Sequence, residues 1–238
     1  NTHCSRLKRK VTDFIIEQEL KKDESTKNIL LARFLARNGL ERELGRVKHS
    51  KRIDEDYFHF LYVWSKERYL LTTTKKTKQG AVEVTEVIAQ LKKSYLFTYI
   101  VYWVNAVNYH RIRGLDCPID APDRQLLVEV RSICTKEEQE VINLWMMAKE
   151  FIFDIVERAA FEAQVEQLQH LLPTFDLANQ IYLLLNDFTK NEKNYFKRCS
   201  RILEYLLILQ DKGILSTISL TPNLLLQIIT ISLELNRF

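Results

Sequence analysis

The strongest constraint on this chain is a spacing. In segment after segment, apolar side chains recur every three or four positions, which gathers them on one face of an α-helix. Leu7, Val11, Phe14 and Ile15 form a first stripe, and Ile29, Leu30, Phe34 and Leu35 a second, closed by Asn38-Gly39 as a helix stop. Leu40–Arg52 reads as a weaker helix, mostly polar and interrupted by Gly45. Asp54-Glu55-Asp56 places acids where a helix N-terminus favours them. Tyr57, Phe58, Leu61, Tyr62, Trp64 and Leu70 then predict a strongly amphipathic helix, with the first clear loop at Thr72–Gly80.

From Val82 to Tyr109 the apolar positions predict one helix of about thirty residues, or two joined at a bend. Its centre, Tyr95–Val104, is apolar on all sides, so it is expected to be enclosed by neighbours. Asp120-Ala121-Pro122 is the expected start of the next helix, with Leu126, Leu127, Val130 and Ile133 inward. Thr135 and Glu138 form a capping-box pattern ahead of Val141, Leu144, Trp145, Ala148, Ile152 and Ile155. Phe161, Val165, Leu168, Leu171 and Leu172 predict a helix ended by Pro173, and Asp176 is the expected cap of Leu177–Lys190. A further helix over 195–212 stops at Lys212-Gly213, and Thr221-Pro222 starts the last.

Five glycines and four prolines in 238 residues leave little material for hairpins or phosphate-cradling loops, which need φ > 0 or a fixed φ. The expected fold is all-α. About ten or eleven helices with short connections make sequence neighbours pack antiparallel. No one helix buries its stripe alone, so the pairs are expected to stack as a degenerate tetratricopeptide-like α-α superhelix, a solenoid. No strict 34-residue repeat can be laid on the chain. The expectation is one helical-repeat domain over 1–238, with basic N-terminal helices in 1–80 and stacked hairpins in 81–238. The abrupt end after Ile228–Phe238, without a helix stop, points to a fragment of a longer protein.

Four segments carry a resemblance. They are NILLARFLARNGLERELGRVKHSKRIDEDYFHFLYVWSKERY, EVTEVIAQLKKSYLFTYIVYWVNAVNYHRI, LLPTFDLANQIYLLLNDFTKN and ILEYLLILQDKGILSTISLTPNLLLQIITISLELNRF. Their order resembles a group of large bacterial proteins of tetratricopeptide-like type, found mainly in gliding and gut-type bacteria. The shared motifs are packing motifs: the Arg-x-Leu-x-Arg-x-Gly-Leu helix end, the acid-Asp-Tyr helix start and the Thr-Pro cap. The resemblance implies a fold and a chain that continues past Phe238. It implies no activity, and no functional residue is carried over from it.

Chemistry-bearing patterns are missing. His3, His49, His59, His110 and His170 are isolated from one another in sequence, and the glycines fit no phosphate-binding motif. Cys4, Cys117, Cys134 and Cys199 are too widely spaced for a zinc site or disulfide framework, which favours a reducing, cytoplasmic setting. The paired acids Glu17/Glu19 point apart on a helix, and Asp54/Asp56 have a role as helix-start residues. Ser94–Tyr109 and Ile214–Leu233 are uncharged, but the first is short and the second is broken by Thr221-Pro222-Asn223, so no membrane span is expected. No enzyme activity, cofactor or metal is expected either.

Charge leaves one alternative open. Residues 1–80 hold 19 Lys/Arg against 11 Asp/Glu, net +8, and residues 81–238 hold 16 against 20, net −4. A basic front half with interleaved aromatics suits an anionic partner, so an RNA-binding helical-repeat domain is the second reading, using cations such as Lys75, Lys76 and Lys78. The first reading is a non-catalytic scaffold that binds an unidentified protein. The candidate contact residues are Tyr62, Trp64, Lys66, Arg68, Tyr69, Tyr99 and Trp103. The aromatic stripe Tyr95–Tyr109 is expected to be mostly core, with any exposed part serving as an anchor.

Overall fold

The computed structural model of the chain describes residues 24–40, 44–47, 51–73, 80–211 and 213. Among the described residues there are eight α-helices and no strand, so the chain is all-α there. The helices are α1 (Glu24–Arg37), α2 (Glu55–Thr73), α3 (Gly80–Ile112), α4 (Arg124–Ile133), α5 (Lys136–Ile152), α6 (Arg158–Leu168), α7 (Thr174–Asn191) and α8 (Tyr195–Asp211). The helices expected at 7–15 and after Thr221 lie outside the described residues. Packing divides the chain into two compact units, residues 1–99 with 122–135, and residues 100–121 with 136–238.

In the first unit α1 packs along α2 around Ala32, Leu35, Ala36, Leu44 and Leu71, with Val47 and Trp64 against this core. Gly39 ends α1 in the left-handed conformation (φ 69°), and the amides of Gly39 and Leu40 return to the carbonyls of Ala36 and Leu35. The weak helix expected over 40–52 is, in its described part, one turn at Leu44. Gly45 and the polar sequence give it little propensity of its own. What holds it is tertiary: the Trp64 indole N–H donates to the Leu44 carbonyl at 3.0 Å.

Asp54 caps α2 as its position predicts, accepting the Tyr57 amide at 2.6 Å. Burial pushes the Asp54 carboxyl above its ordinary value, against the pull of that amide. The helix is less one-sided than its sequence suggests. Phe60, Val63 and Ser65 are buried while Leu70 is half exposed. The reason is cover from two directions: α1 lies along one side, and Phe58 meets Phe97 of α3 with ring centres 4.7 Å apart on another.

The α4 start falls three residues later than the Asp120-Ala121-Pro122 reading. Pro122 disfavours a helical conformation at Ala121, and Asp123 is the cap, accepting the Leu126 amide at 2.7 Å. Ile133, expected inward, is exposed, and α4 buries Val130.

In the second unit α5, α6, α7 and α8 each pack on the next, and α5 also meets α7. Phe151 stacks on Phe161 at 4.5 Å, and Phe188 meets Tyr205 at 6.0 Å. α5 stops at Ile152, so Ile155 does not continue its buried stripe and is 67% exposed. The stop is Asp154, the one described non-glycine residue with positive φ (58°). Its amide returns to Phe151 and that of Ile155 to Glu150, the same closure that glycines make at Gly39 and Gly114. Pro173, not Asp176, stands at the N-cap of α7. Its fixed φ starts the helix early and places Asp176, buried, within the first turn.

Two stability tests follow from these positions. Asp154→Ala and Asp154→Gly lose the same side chain, so their difference isolates backbone strain. Urea unfolding is expected to find the alanine variant about 1 kcal/mol less stable than the glycine variant; equal stabilities would refute the left-handed stop. Gln180 is fully buried, and among the described residues its amide oxygen and nitrogen have no hydrogen-bond partner. Gln180→Met is expected to stabilise by about 1 kcal/mol, because it removes unsatisfied polar atoms at similar volume. A loss of that size would show that the amide is satisfied.

Candidate functional site

Helical geometry divides the sequence candidates on α2 into two sets. Tyr62, Lys66 and Tyr69 share one face at i, i+4, i+7, with Lys66 exposed and the two tyrosines half-buried. Trp64 and Arg68 share another. There the Trp64 indole is held by Leu44, and the Arg68 guanidinium lies 4.7 Å above its ring and 3.9 Å from Glu86. These contacts tie Trp64 to its own unit and cover one face of the ring. Tyr99, on α3, is half-buried with its ring 6.0 Å from that of Tyr95. Trp103 is buried, at 6% exposure. Lys75, Lys76 and Lys78 lie outside the described residues.

The surface that stands out is on α3 and was only partly anticipated. The helix runs unbroken for 33 residues. Leu96, Phe97, Ile100, Trp103, Val104 and Val107 are buried on one side. On the other, Ile88, Tyr95, Tyr102 and Tyr109 recur every seven residues, and Leu91 and Ile112 fall on the companion positions three further on. All six are about half exposed or more, Tyr102 most at 63%. The two remaining companion positions hold Thr98, hydrogen-bonded to Glu55, and the exposed Asn105. Seven-residue alternation of this kind is the seam along which one helix packs against another. The guanidinium of Arg113 stacks on Tyr109 at 4.2 Å near one end.

The sequence shows these residues as apolar but cannot say which side is left uncovered, because Tyr95–Val104 is greasy all round. Among the described residues neighbours cover one face of α3, and the tyrosines of the opposite face stay out. Ile88, Tyr95, Tyr102 and Tyr109 recur every seven residues, but so do the buried pairs Leu96/Trp103, Phe97/Val104 and Ile100/Val107, so spacing alone does not tell the two faces apart.

A second feature lies wholly within the second unit and had no signal in sequence. A polar notch of ≈ 130 Å³ is lined by Asn108 and Arg111 from α3, Asp154 after α5, and Asp187 and Lys190 from α7. Arg111 pairs with Asp154 at 2.5 Å. Arg158, at the notch's edge, binds Asp187 at 2.5 Å and Glu192 at 3.3 Å while its guanidinium lies 4.1 Å from the Phe188 ring centre. Each carboxylate there already holds a guanidinium, so the cluster reads as a clamp joining the start of α6 to the end of α7. The Glu192 carboxyl is held below its ordinary value, first by the Asn194 amide and then by Lys197 and Arg158. Tyr205, buried, donates its hydroxyl to Glu162; burial and that carboxylate push the phenol well above its ordinary range.

Among the described residues no three His, Cys, Asp or Glu side chains converge as metal ligands, and no helix is long and apolar enough to cross a membrane. The uncharged stretch 214–233 lies outside the described residues. No known protein family, curated protein or solved structure matches this chain.

The ion pairs of Arg111 and Arg158 differ in burial, which makes a test. Arg158→Ala takes the guanidinium from Asp187 and Glu192, 15% and 14% exposed, leaving Asp187 with Asn191 and Glu192 with Lys197 and the Asn194 amide. It is expected to destabilise more than Arg111→Ala. Arg111→Ala breaks a pair 37% and 66% exposed, and is expected to cost about 1 kcal/mol or less. Equal costs in chemical unfolding would contradict the clamp.

Proposed function

We propose that this chain is a non-catalytic, tetratricopeptide-like scaffold of stacked antiparallel helix pairs, which holds another protein against the outer face of α3. The observation that carries the reading is the exposed seam from Ile88 to Ile112. A soluble protein has no stability reason to leave six large apolar or aromatic side chains in a row facing water, and contiguous patches of that kind mark interaction surfaces. Tyrosine is well suited to the task, since it offers a large rigid ring with a polar tip at low entropic cost. The sequential packing of α5 to α8 supports a repeat architecture related to the tetratricopeptide-like bacterial group. Among the described residues Cys117, Cys134 and Cys199 form no disulfide, which suits a reducing, cytoplasmic setting. On α2, the cation nearest an aromatic platform, Arg68, is engaged with Trp64 and Glu86, which disfavours the RNA reading.

The test is affinity capture by the full chain from extracts of its own cells, comparing the wild type with Tyr102→Glu and Lys66→Glu. The expected outcome is a defined set of proteins lost with Tyr102→Glu and kept with Lys66→Glu. Retention that is abolished by nuclease or by Lys66→Glu, and indifferent to Tyr102→Glu, would replace the scaffold with an RNA-binding domain.

A further inference from the structure

We infer that the occupant of the α3 seam is the α3 seam of a second copy of this chain, the two helices running antiparallel. The inference rests on the scaffold reading and names its partner.

The register argues for it. Antiparallel helices pair each seam position with its companion on the other helix. One register uses all eight seam residues: Ile88 against Ile112, Leu91 against Tyr109, Tyr95 against Asn105, and Thr98 against Tyr102. Apolar side chains meet apolar ones at both ends, and hydroxyls meet an amide or a hydroxyl in the middle. Sliding by seven residues one way sets Ile88 against Asn105; sliding the other way leaves Ile88 and Leu91 without partners. A parallel pair would stack Asn105 on Asn105 and Tyr95 on Tyr95. The sequence of this face is thus complementary to its own reverse, which a two-fold interface requires.

Charge and area agree with the register. Antiparallel pairing brings Glu86, half exposed and only loosely held by Arg68, to the level of Arg113 of the other copy, twice by symmetry. The positions flanking the seam between them are Ser94, Tyr99, Val101, Ala106 and Asn108, with Lys92 the one cation, itself paired with Glu129 at 2.5 Å. No like charges face one another at these flanking positions. Glu55, bonded to Thr98, brings one carboxyl per copy to the middle, and burial pushes that carboxyl above its ordinary value. The six exposed side chains offer on the order of 600 Å². With Thr98, Tyr99 and Asn105 at the margins, each copy approaches the roughly 800 Å² that a stable pair buries per partner.

Sedimentation of the full chain over a concentration series is expected to show a reversible dimer. Tyr102→Glu, which would bury two charges at the centre, is expected to weaken self-association at least about 100-fold. Its far-ultraviolet circular dichroism and unfolding cooperativity should stay those of the wild type, which separates lost association from lost folding. Orientation is read by mixing Tyr95→Cys and Asn105→Cys chains under oxidation and sequencing the linked peptides, which distinguishes the new thiols from the native cysteines. A 95–105 link between chains is expected; a 95–95 link would mean parallel helices and overturn the proposal. A wild type that stays monomeric at about 100 μM, well above the dissociation constant of an ordinary stable interface, also overturns it. If that monomer still captures another protein through Tyr102, the second copy is refuted and the scaffold reading stands. If the chain dimerises while capture ignores Tyr102→Glu, the pairing is upheld and the capture of other proteins must be sought elsewhere.

Discussion

A helix of 33 residues with apolar side chains on every side needs more cover than one layer of neighbours can give it. That is the situation of α3. Leu96, Phe97, Ile100 and Trp103 turn inward and are excluded from water. Among the described residues Ile88, Tyr95, Tyr102 and Tyr109, on the opposite face at the same seven-residue spacing, face out. Burying those side chains is worth about 25 cal/mol per Å² wherever a partner supplies the cover. On the proposed reading the free energy of that face makes α3 a docking element, and within each unit the other helices support it.

They do so with closures of a repeated kind. Gly39 and Gly114 end α1 and α3 in the left-handed conformation, and Asp154 does the same for α5 at the cost of strain a glycine avoids. Asp154 has a second use that glycine lacks, since its carboxylate reaches Arg111 near the C-terminal end of α3. A few residues on, Arg158 ties the start of α6 to the end of α7 through Asp187 and Glu192. Short connections and half-buried ion pairs of this sort fix the relation of each helix to the next within the unit. A rigid presenting surface loses less entropy on binding than a mobile one.

Much of this was legible in the sequence, and the failures have physical causes. Spacing alone located all eight described helices, because a stripe of apolar residues can be sheltered only on a helix of that phase. Asp54 was readable as a cap because acids preceded an apolar run. Asp120 was misread because Pro122, which is tolerated inside a first turn, instead held Ala121 extended and passed the cap to Asp123. Ile155 fell at helical spacing but beyond a stop that no glycine announced, since Asp adopts the left-handed conformation rarely enough to escape a pattern search. The notch around Arg111 and Asp187 is assembled from residues far apart in the chain, and nothing local marks them. The seam was hidden for a different reason: Tyr99 and Tyr102 look alike in sequence, and only packing decides that one is tucked in and the other left out.

The central claim is that the outer face of α3 is covered when the protein is assembled, and tyrosine-selective chemical labelling reads it directly. In dilute solution Tyr95, Tyr102 and Tyr109 should label readily. As the chain associates, the account predicts that these three become protected together, while Tyr62 and Tyr69 on α2 keep their reactivity. If association proceeds with the three seam tyrosines as reactive as before, the face is not the interface and the account is contradicted.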